Sequence, residues 1–77
     1  MSEDEQIGQD FEGAFLPLTV GAQLDGDWLR VQIQDHEPAS FRRSSLHGGK
    51  HREIIETYRR DFAREGYVLG PWPAPAL

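Results

Sequence analysis

The 77-residue chain contains no cysteine, so neither a disulfide nor a thiolate-bound metal can reinforce its core. This absence agrees with a reducing compartment. No apolar run approaches the ~20 residues that span a bilayer, and the N-terminus lacks the basic and apolar regions of a secretory signal. We therefore expect a small cytoplasmic protein with one domain, a thin core and no membrane partner.

Motifs for catalysis and metal binding are also missing. The sequence has no G-x-S-x-G and no Walker loop, and its acids and histidines show no nucleophile–base spacing. His47 and His51 have a zinc-like spacing of four, but Gly48 and Gly49 between them disfavour a helix and no third ligand is positioned. We expect no enzyme activity, no catalytic residue, no metal and no cofactor.

The charge is divided unevenly along the chain. The net charge is −5, yet residues 1–37 carry nine acids against one base, whereas residues 41–64 carry seven bases against three acids. Such a division can orient a charged partner. Residues 1–13 combine low hydrophobicity with charge of one sign, which predicts a disordered acidic arm.

The clearest pattern lies between Leu16 and Asp35. Asp25-Gly26 is typical of a type I′ turn, and apolar residues alternate on both sides of it. The pattern predicts a β-hairpin in which Leu24 faces Asp27. One face of this hairpin then carries seven apolar residues: Leu16, Leu18, Val20, Ala22, Leu29, Val31 and Ile33.

The opposite face of the hairpin is a candidate partner surface. It carries Trp28, Arg30 and Gln32, which suit either a wet surface or a contact. Residues 71–77 predict a Pro-rich extended tail, and Trp72 within it either covers this sheet face or binds a partner. Because the core is small, we favour a tail that covers the sheet.

Residues 50–65 predict the main helix. His51, Ile54, Ile55, Tyr58 and Phe62 recur at spacings of three and four and form one apolar stripe. Gly66 suits the left-handed position after the helix, which would return the next residue, Tyr67, onto Phe62.

The segment that leads into this helix is a candidate site for an anion or an acidic partner. Bases and a Gly-Gly turn gather where a helix begins with free backbone N–H groups. The residues are Arg42, Arg43, Gly48, Gly49, Lys50 and Arg52. In the alternative interpretation, water, Ser44 or Ser45 caps the helix and the glycines only turn the chain.

These patterns predict a small two-layer α+β domain over residues 14–70. An antiparallel hairpin packs on one C-terminal helix in the order β-β-(β)-α-(β), and further strands over 40–43 and 67–69 remain open. The expected function is that of a small non-catalytic binding protein, an accessory protein, regulator or inhibitor that acts through a protein partner or by self-association. The alternative is a DNA- or RNA-binding module that uses the basic segment 42–64.

Overall fold

A computed structural model of the protein describes residues 2–73. The elements follow in the order α1 (Glu3–Ala14), β1 (Val20–Asp25), β2 (Trp28–Ile33), β3 (Ala39–Arg42) and α2 (His51–Arg64), with a short 3₁₀ turn at Arg43–Ser45. The strands form one antiparallel sheet in the order β1-β2-β3. The predicted α+β class is confirmed, but a second helix precedes the sheet, so the predicted order is corrected to α-β-β-β-α.

The hairpin forms as predicted but with a different register. Asp25 pairs with Trp28 and Leu24 pairs with Leu29, so Gly26 and Asp27 make the turn. Of the two turn residues only Gly26 has a positive φ, +60°, which matches a type II′ turn and not the predicted I′. The predicted pairing is therefore wrong by two residues. A shift of two preserves which side chains share a face, so the alternation could not detect it.

The inner face of the sheet builds the core. Leu29, Val31 and Ile33 of β2 are buried there, as the alternation predicts, and Leu18, which precedes β1, is buried as well. Val20 and Ala22 of β1 are partly buried, whereas Leu16 of the predicted set is 57 % exposed. The full core consists of Ile7, Phe11, Ala14, Phe15, Leu18, Leu29, Val31, Ile33, Leu46, Ile55 and Phe62.

Helix α1 replaces the disordered arm that the acidic N-terminal segment predicts. Ser2 caps the helix by accepting a hydrogen bond from the Glu5 N–H at 3.3 Å. Ile7, Phe11 and Ala14 lie on one side of α1 and are all buried. The prediction is wrong for residues 3–13, because these apolar side chains find partners in the sheet and in α2. Since α1 contributes to the same core as the sheet, residue 13 marks no structural boundary.

Helix α2 agrees closely with its prediction. His51, Ile55 and Phe62 are buried, and Gly66 follows the helix with φ +102°. The N–H of Tyr67 donates to the Phe62 carbonyl at 3.0 Å and the N–H of Gly66 donates to the Ala63 carbonyl at 3.1 Å, which is a Schellman motif. The Tyr67 ring packs edge-on against Phe62 at 5.3 Å between centroids, as the helix exit predicts.

Of the two further strands left open by the sequence, one forms. Strand β3 pairs with β2, and its Phe41 turns inward to stack on Phe11 at 5.8 Å between ring centroids. Residues 67–69 form no strand, and Val68 is 88 % exposed. The chain instead returns beside α1 and α2, where the Gly70 N–H donates to the Leu16 carbonyl at 2.8 Å. Strand β3 is consequently one edge of the sheet.

Neither helix within residues 2–73 combines the length and apolar character needed to cross a membrane. The extended tail predicted for residues 71–77 is described only as far as Pro73, and the remainder of that prediction lies outside the described residues.

Candidate binding surfaces

The outer face of the sheet brings together three of the four residues predicted as a partner surface. Trp28, Arg30 and Gln32 project from β2 and are exposed, with Trp28 at 43 %. Arg42 of β3 pairs with Trp28 across the sheet, and its guanidinium carbon lies 4.8 Å from the centroid of the Trp28 ring. This contact is a cation–π interaction, which contributes about 0.5–1 kcal/mol at an exposed site.

Gln32 has a structural role on this face. Its side-chain amide donates to the Gln34 carbonyl at 3.1 Å and to the His36 carbonyl. Gln34 has a positive φ of 47°, a conformation that a non-glycine residue seldom adopts. Gln32 therefore holds the turn that follows β2, and Trp28, Arg30 and Arg42 remain as the groups available for contact.

Trp72 lies elsewhere in the molecule. It is partly buried against the core, in a recess of about 410 Å³ that Gln6 and Asp10 of α1 share with Arg52 and Glu56 of α2. The expectation that Trp72 covers the outer sheet face is therefore wrong. Its side chain lines this recess between the two helices, and it does not join the surface around Trp28.

The predicted anion cradle at the entrance of α2 contains acids from the chain's own first helix. The Gly48 N–H donates to Glu3 Oε2 at 2.6 Å, and His47 Nε2 lies 2.8 Å from Asp4 Oδ1. Arg43 forms a hydrogen-bonded salt bridge with the other oxygen of Asp4. We call this set of residues (Glu3, Asp4, Arg43, His47 and Gly48) the acid clasp.

Two groups of the acid clasp, Asp4 and Arg43, have shifted pKa values. The hydrogen bond from Arg43, followed by the one from His47, holds the pKa of the Asp4 carboxyl below its ordinary value. The same contact raises the pKa of the Arg43 guanidinium. Asp4 is consequently a carboxylate and Arg43 a cation in the folded protein at neutral pH, so an external anion at this place would have to displace Asp4 from Arg43.

A separate contact joins the two helices directly. His51, at the start of α2, is 4 % exposed, and its Nε2 lies 2.7 Å from Asp10 Oδ2 of α1. Asp10 also accepts from the Gln6 side chain at 2.9 Å. The buried His51 Nδ1 has no hydrogen-bond partner among the described residues. His51 is therefore fixed through one nitrogen, and His47 and His51 bind separate acids.

The remaining predicted anion-site residues are scattered. Gly49 has a positive φ of 83° and turns the chain, while the side chain of Lys50 is exposed. Arg42 stacks on Trp28 on the outer sheet face, and Arg52 lies beside Trp72 at the seam between the helices. The structure thus brings only Arg43 and Gly48 together at the cradle, and Glu3 and Asp4 complete it.

An apolar groove lies between the β3 side of the sheet and α2, and the sequence patterns did not indicate it. Its volume is about 240 Å³, and its walls include Val31, Ile33, Ala39, Phe41, Tyr58 and Phe62. His36, Glu37, Asp61 and Glu65 also line it, and its lining contains three acids but no lysine or arginine. The groove thus combines apolar walls with acidic side chains.

No protein-family model matches the chain, and no curated protein or solved structure is significantly similar to it. Within residues 2–73 no group of three or more histidine, aspartate or glutamate side chains is arranged to hold a metal ion. Only the geometry of the surfaces described above therefore indicates a function for this chain.

Proposed function

We propose that this chain is a small non-catalytic binding protein whose outer sheet face contacts a protein partner. The observation that supports this proposal is the exposed Trp28 ring with the Arg42 guanidinium 4.8 Å above it. Tryptophan and arginine are the side chains most enriched at the energetic centres of protein interfaces. Because the two side chains already contact each other, the cation–π interaction reduces the side-chain entropy that a partner would have to remove.

The charge of this face favours a partner segment that contains acidic side chains. Arg30 and Arg42 both project from it, and a recess of about 260 Å³ lies between Asp25, Trp28, Arg30 and Ser40. Asp25 lies at one end of the recess and is acidic, so the positive charge of this face comes from Arg30 and Arg42. A carboxylate can bind an arginine guanidinium through two parallel hydrogen bonds.

The nucleic-acid alternative receives less support from the positions of the bases. Arg43 is bound to Asp4, and Arg59 donates to the carbonyls of Ala14 and Gly70. Phosphate binding needs several free cations along one track. A gel shift of single- and double-stranded DNA and RNA at low salt tests this alternative directly, and retardation that falls steeply with added salt would favour it.

The proposal is tested by panning a random peptide library on the immobilised full chain. We expect enrichment of peptides with acidic residues, and a loss of binding of about tenfold or more for Trp28→Ala and for Arg42→Ala, because each removes half of the stacked pair. Arg60→Ala is the matched control, since Arg60 is an exposed arginine on α2.

Light scattering on the pure protein runs in parallel. A dimer that Trp28→Ala converts to a monomer would identify the partner as a second copy of the chain. Enriched peptides that bind the Trp28→Ala and Arg42→Ala variants as tightly as the wild type would overturn the assignment to the outer face. If no peptide is enriched and the chain stays monomeric, the proposed function itself fails.

A further inference from the structure

The apolar groove has walls that suit a partner side chain. Phe41 of β3 and Tyr58 and Phe62 of α2 face it, and its volume of about 240 Å³ exceeds that of a single aliphatic side chain. Exposed apolar recesses of this kind commonly mark contact sites. The walls alone do not indicate which kind of ligand binds, but two further observations do.

The first observation is the sign of the charge beside the groove. Glu37 precedes β3, Asp61 lies in the last turn of α2, Glu65 is the residue that follows α2, and all three line the groove. They are exposed, so their carboxylates lie where a ligand would enter. Arg64 approaches Asp61 only at 4.0 Å and does not line the groove. An occupant is therefore expected to be basic as well as apolar.

The second observation is the sheet edge beside the groove. The Arg43 N–H donates to the Asp27 carbonyl at 2.8 Å, which continues the β2–β3 ladder by one residue. Hydrogen-bonded positions alternate along an antiparallel strand. The backbone N–H and C=O groups of Ser40 and Arg42 consequently point away from β2, toward the side where a fourth strand would lie.

We propose that an extended segment of a partner protein, with apolar and basic residues on the same face of the strand, adds to β3 as a fourth strand. Its backbone pairs with Ser40 and Arg42, and every second side chain points toward α2. Among these inward side chains the apolar ones enter the groove, and a lysine or arginine lies against Asp61 and Glu65. Main-chain pairing supplies affinity in this mode, and the groove supplies specificity. The inference rests on the proposed role as a protein-binding module, but it uses a surface separate from Trp28.

The test uses three synthetic peptides of about seven residues. In the first, the Lys–Val peptide, Val and Lys share the odd positions and Ser fills the even ones; the second has the same composition in two blocks, one of Val and Lys and one of Ser; the third, the Glu–Val peptide, has Glu in place of Lys. Binding to the full chain is followed by fluorescence polarisation at low and moderate salt. We expect only the Lys–Val peptide to bind, because it alone has the positive charge and presents its apolar and basic side chains on one face of a strand. Equal binding of the block peptide, or tighter binding of the Glu–Val peptide, would overturn the proposal.

Two pairs of variants separate charge from backbone pairing. Asp61→Lys combined with Glu65→Lys reverses the charge at exposed positions, and we expect it to weaken the Lys–Val peptide at least tenfold. The matched charge reversal is Glu12→Lys combined with Glu53→Lys, at exposed acids on α1 and α2 that do not line the groove. Ser40→Pro removes one outward N–H, for which we expect about a tenfold loss, whereas Ser40→Ala removes only the hydroxyl and leaves binding unchanged.

A further measurement covers the case in which Ser40→Pro disturbs the fold. Amide chemical-shift changes of the labelled wild-type chain, titrated with the unlabelled Lys–Val peptide, are expected to cluster on Ala39–Arg42 and residues 58–65. Changes centred elsewhere would contradict the inference. Because Trp28→Ala is expected to leave this titration unchanged, its result distinguishes failure of the groove from failure of the outer face. A dimer that Ser40→Pro dissociates would show a second copy at β3 and would overturn the assigned partner.

Discussion

The two helices pack on the same face of the sheet, yet they are encoded in different ways. Helix α2 has a continuous apolar stripe and a Schellman motif made by residues next to it in the sequence. Helix α1 buries Ile7, Phe11 and Ala14, and its acids contact residues about forty positions away, such as Gly48 and His51. Helix α2 is thus specified locally, whereas α1 depends on the rest of the fold.

We expect the largest effect on stability from a substitution at Phe11, which packs α1 into the core. Phe11 is fully buried and stacks on Phe41. We expect Phe11→Ala to lower the free energy of unfolding by about 3–5 kcal/mol, and Ile55→Ala in α2 by about 2–5 kcal/mol. Urea unfolding followed by circular dichroism measures both. A loss below about 1 kcal/mol for Phe11→Ala would mean that α1 is not part of the core.

If Phe11→Ala does not fold, Phe11→Leu replaces it, because leucine keeps part of the side-chain volume. We expect a smaller loss for this variant, with the same order relative to a conservative change in α2 such as Ile55→Val, for which about 0.5–1.5 kcal/mol is typical.

The contact between the helices at His51 gives the next largest effect. Asp10→Ala leaves the buried His51 Nε2 without its partner, and we expect a loss of about 1–3 kcal/mol in the free energy of unfolding. Asp10→Asn keeps an oxygen acceptor and should lose less. Glu12→Ala, at an exposed acid of the same helix, is expected to change stability by under about 0.5 kcal/mol. Equal losses for Asp10→Ala and Glu12→Ala would show that the His51 contact contributes nothing.

The local encoding of α2 is tested at its exit. Gly66 has φ +102°, which costs an L-residue energy, so we expect Gly66→Ala to lower stability by about 1–2 kcal/mol. Gly13→Ala in α1 should instead raise stability by up to about 1 kcal/mol, because no atom outside its own helix lies within 4 Å of the new methyl group and alanine favours helix. Thermal unfolding of the two variants should therefore shift in opposite directions, and shifts of the same sign would contradict this assignment.

The smallest effect concerns the pH dependence of the acid clasp. Since Arg43 and His47 lower the pKa of Asp4 in the folded state, the folded protein binds fewer protons than the unfolded chain near that pKa. The contribution of Asp4 is therefore complete above the ordinary carboxyl value of about 4 and is lost as the pH falls below it. We expect Asp4→Asn to lower Tm at neutral pH and the difference from wild type to shrink in acid. A difference that grows in acid would contradict the sign.

Parts of α1 and of the acid clasp could have been predicted from the sequence. Ser2 and Glu5 have the S-x-x-E spacing of a capping box, and acids in a first helical turn suit the helix dipole. The prediction of a disordered arm is based on low hydrophobicity and charge of one sign and leaves these signals out. The groove could not be predicted in the same way, because its walls come from β2, β3 and α2, and no single stretch contains them.

Local sequence patterns are sufficient to predict which side chains of β2 face the core, the apolar stripe of α2 and the turn of Tyr67 onto Phe62. These features depend on periods of two and 3.6 residues and on one glycine, all of which are local. The hairpin register, the position of Trp72 and the occupation of the basic cradle by Glu3 and Asp4 depend on contacts between distant parts of the chain. A shift of two residues leaves the alternation intact, and a contact across 45 residues depends on how the whole chain folds.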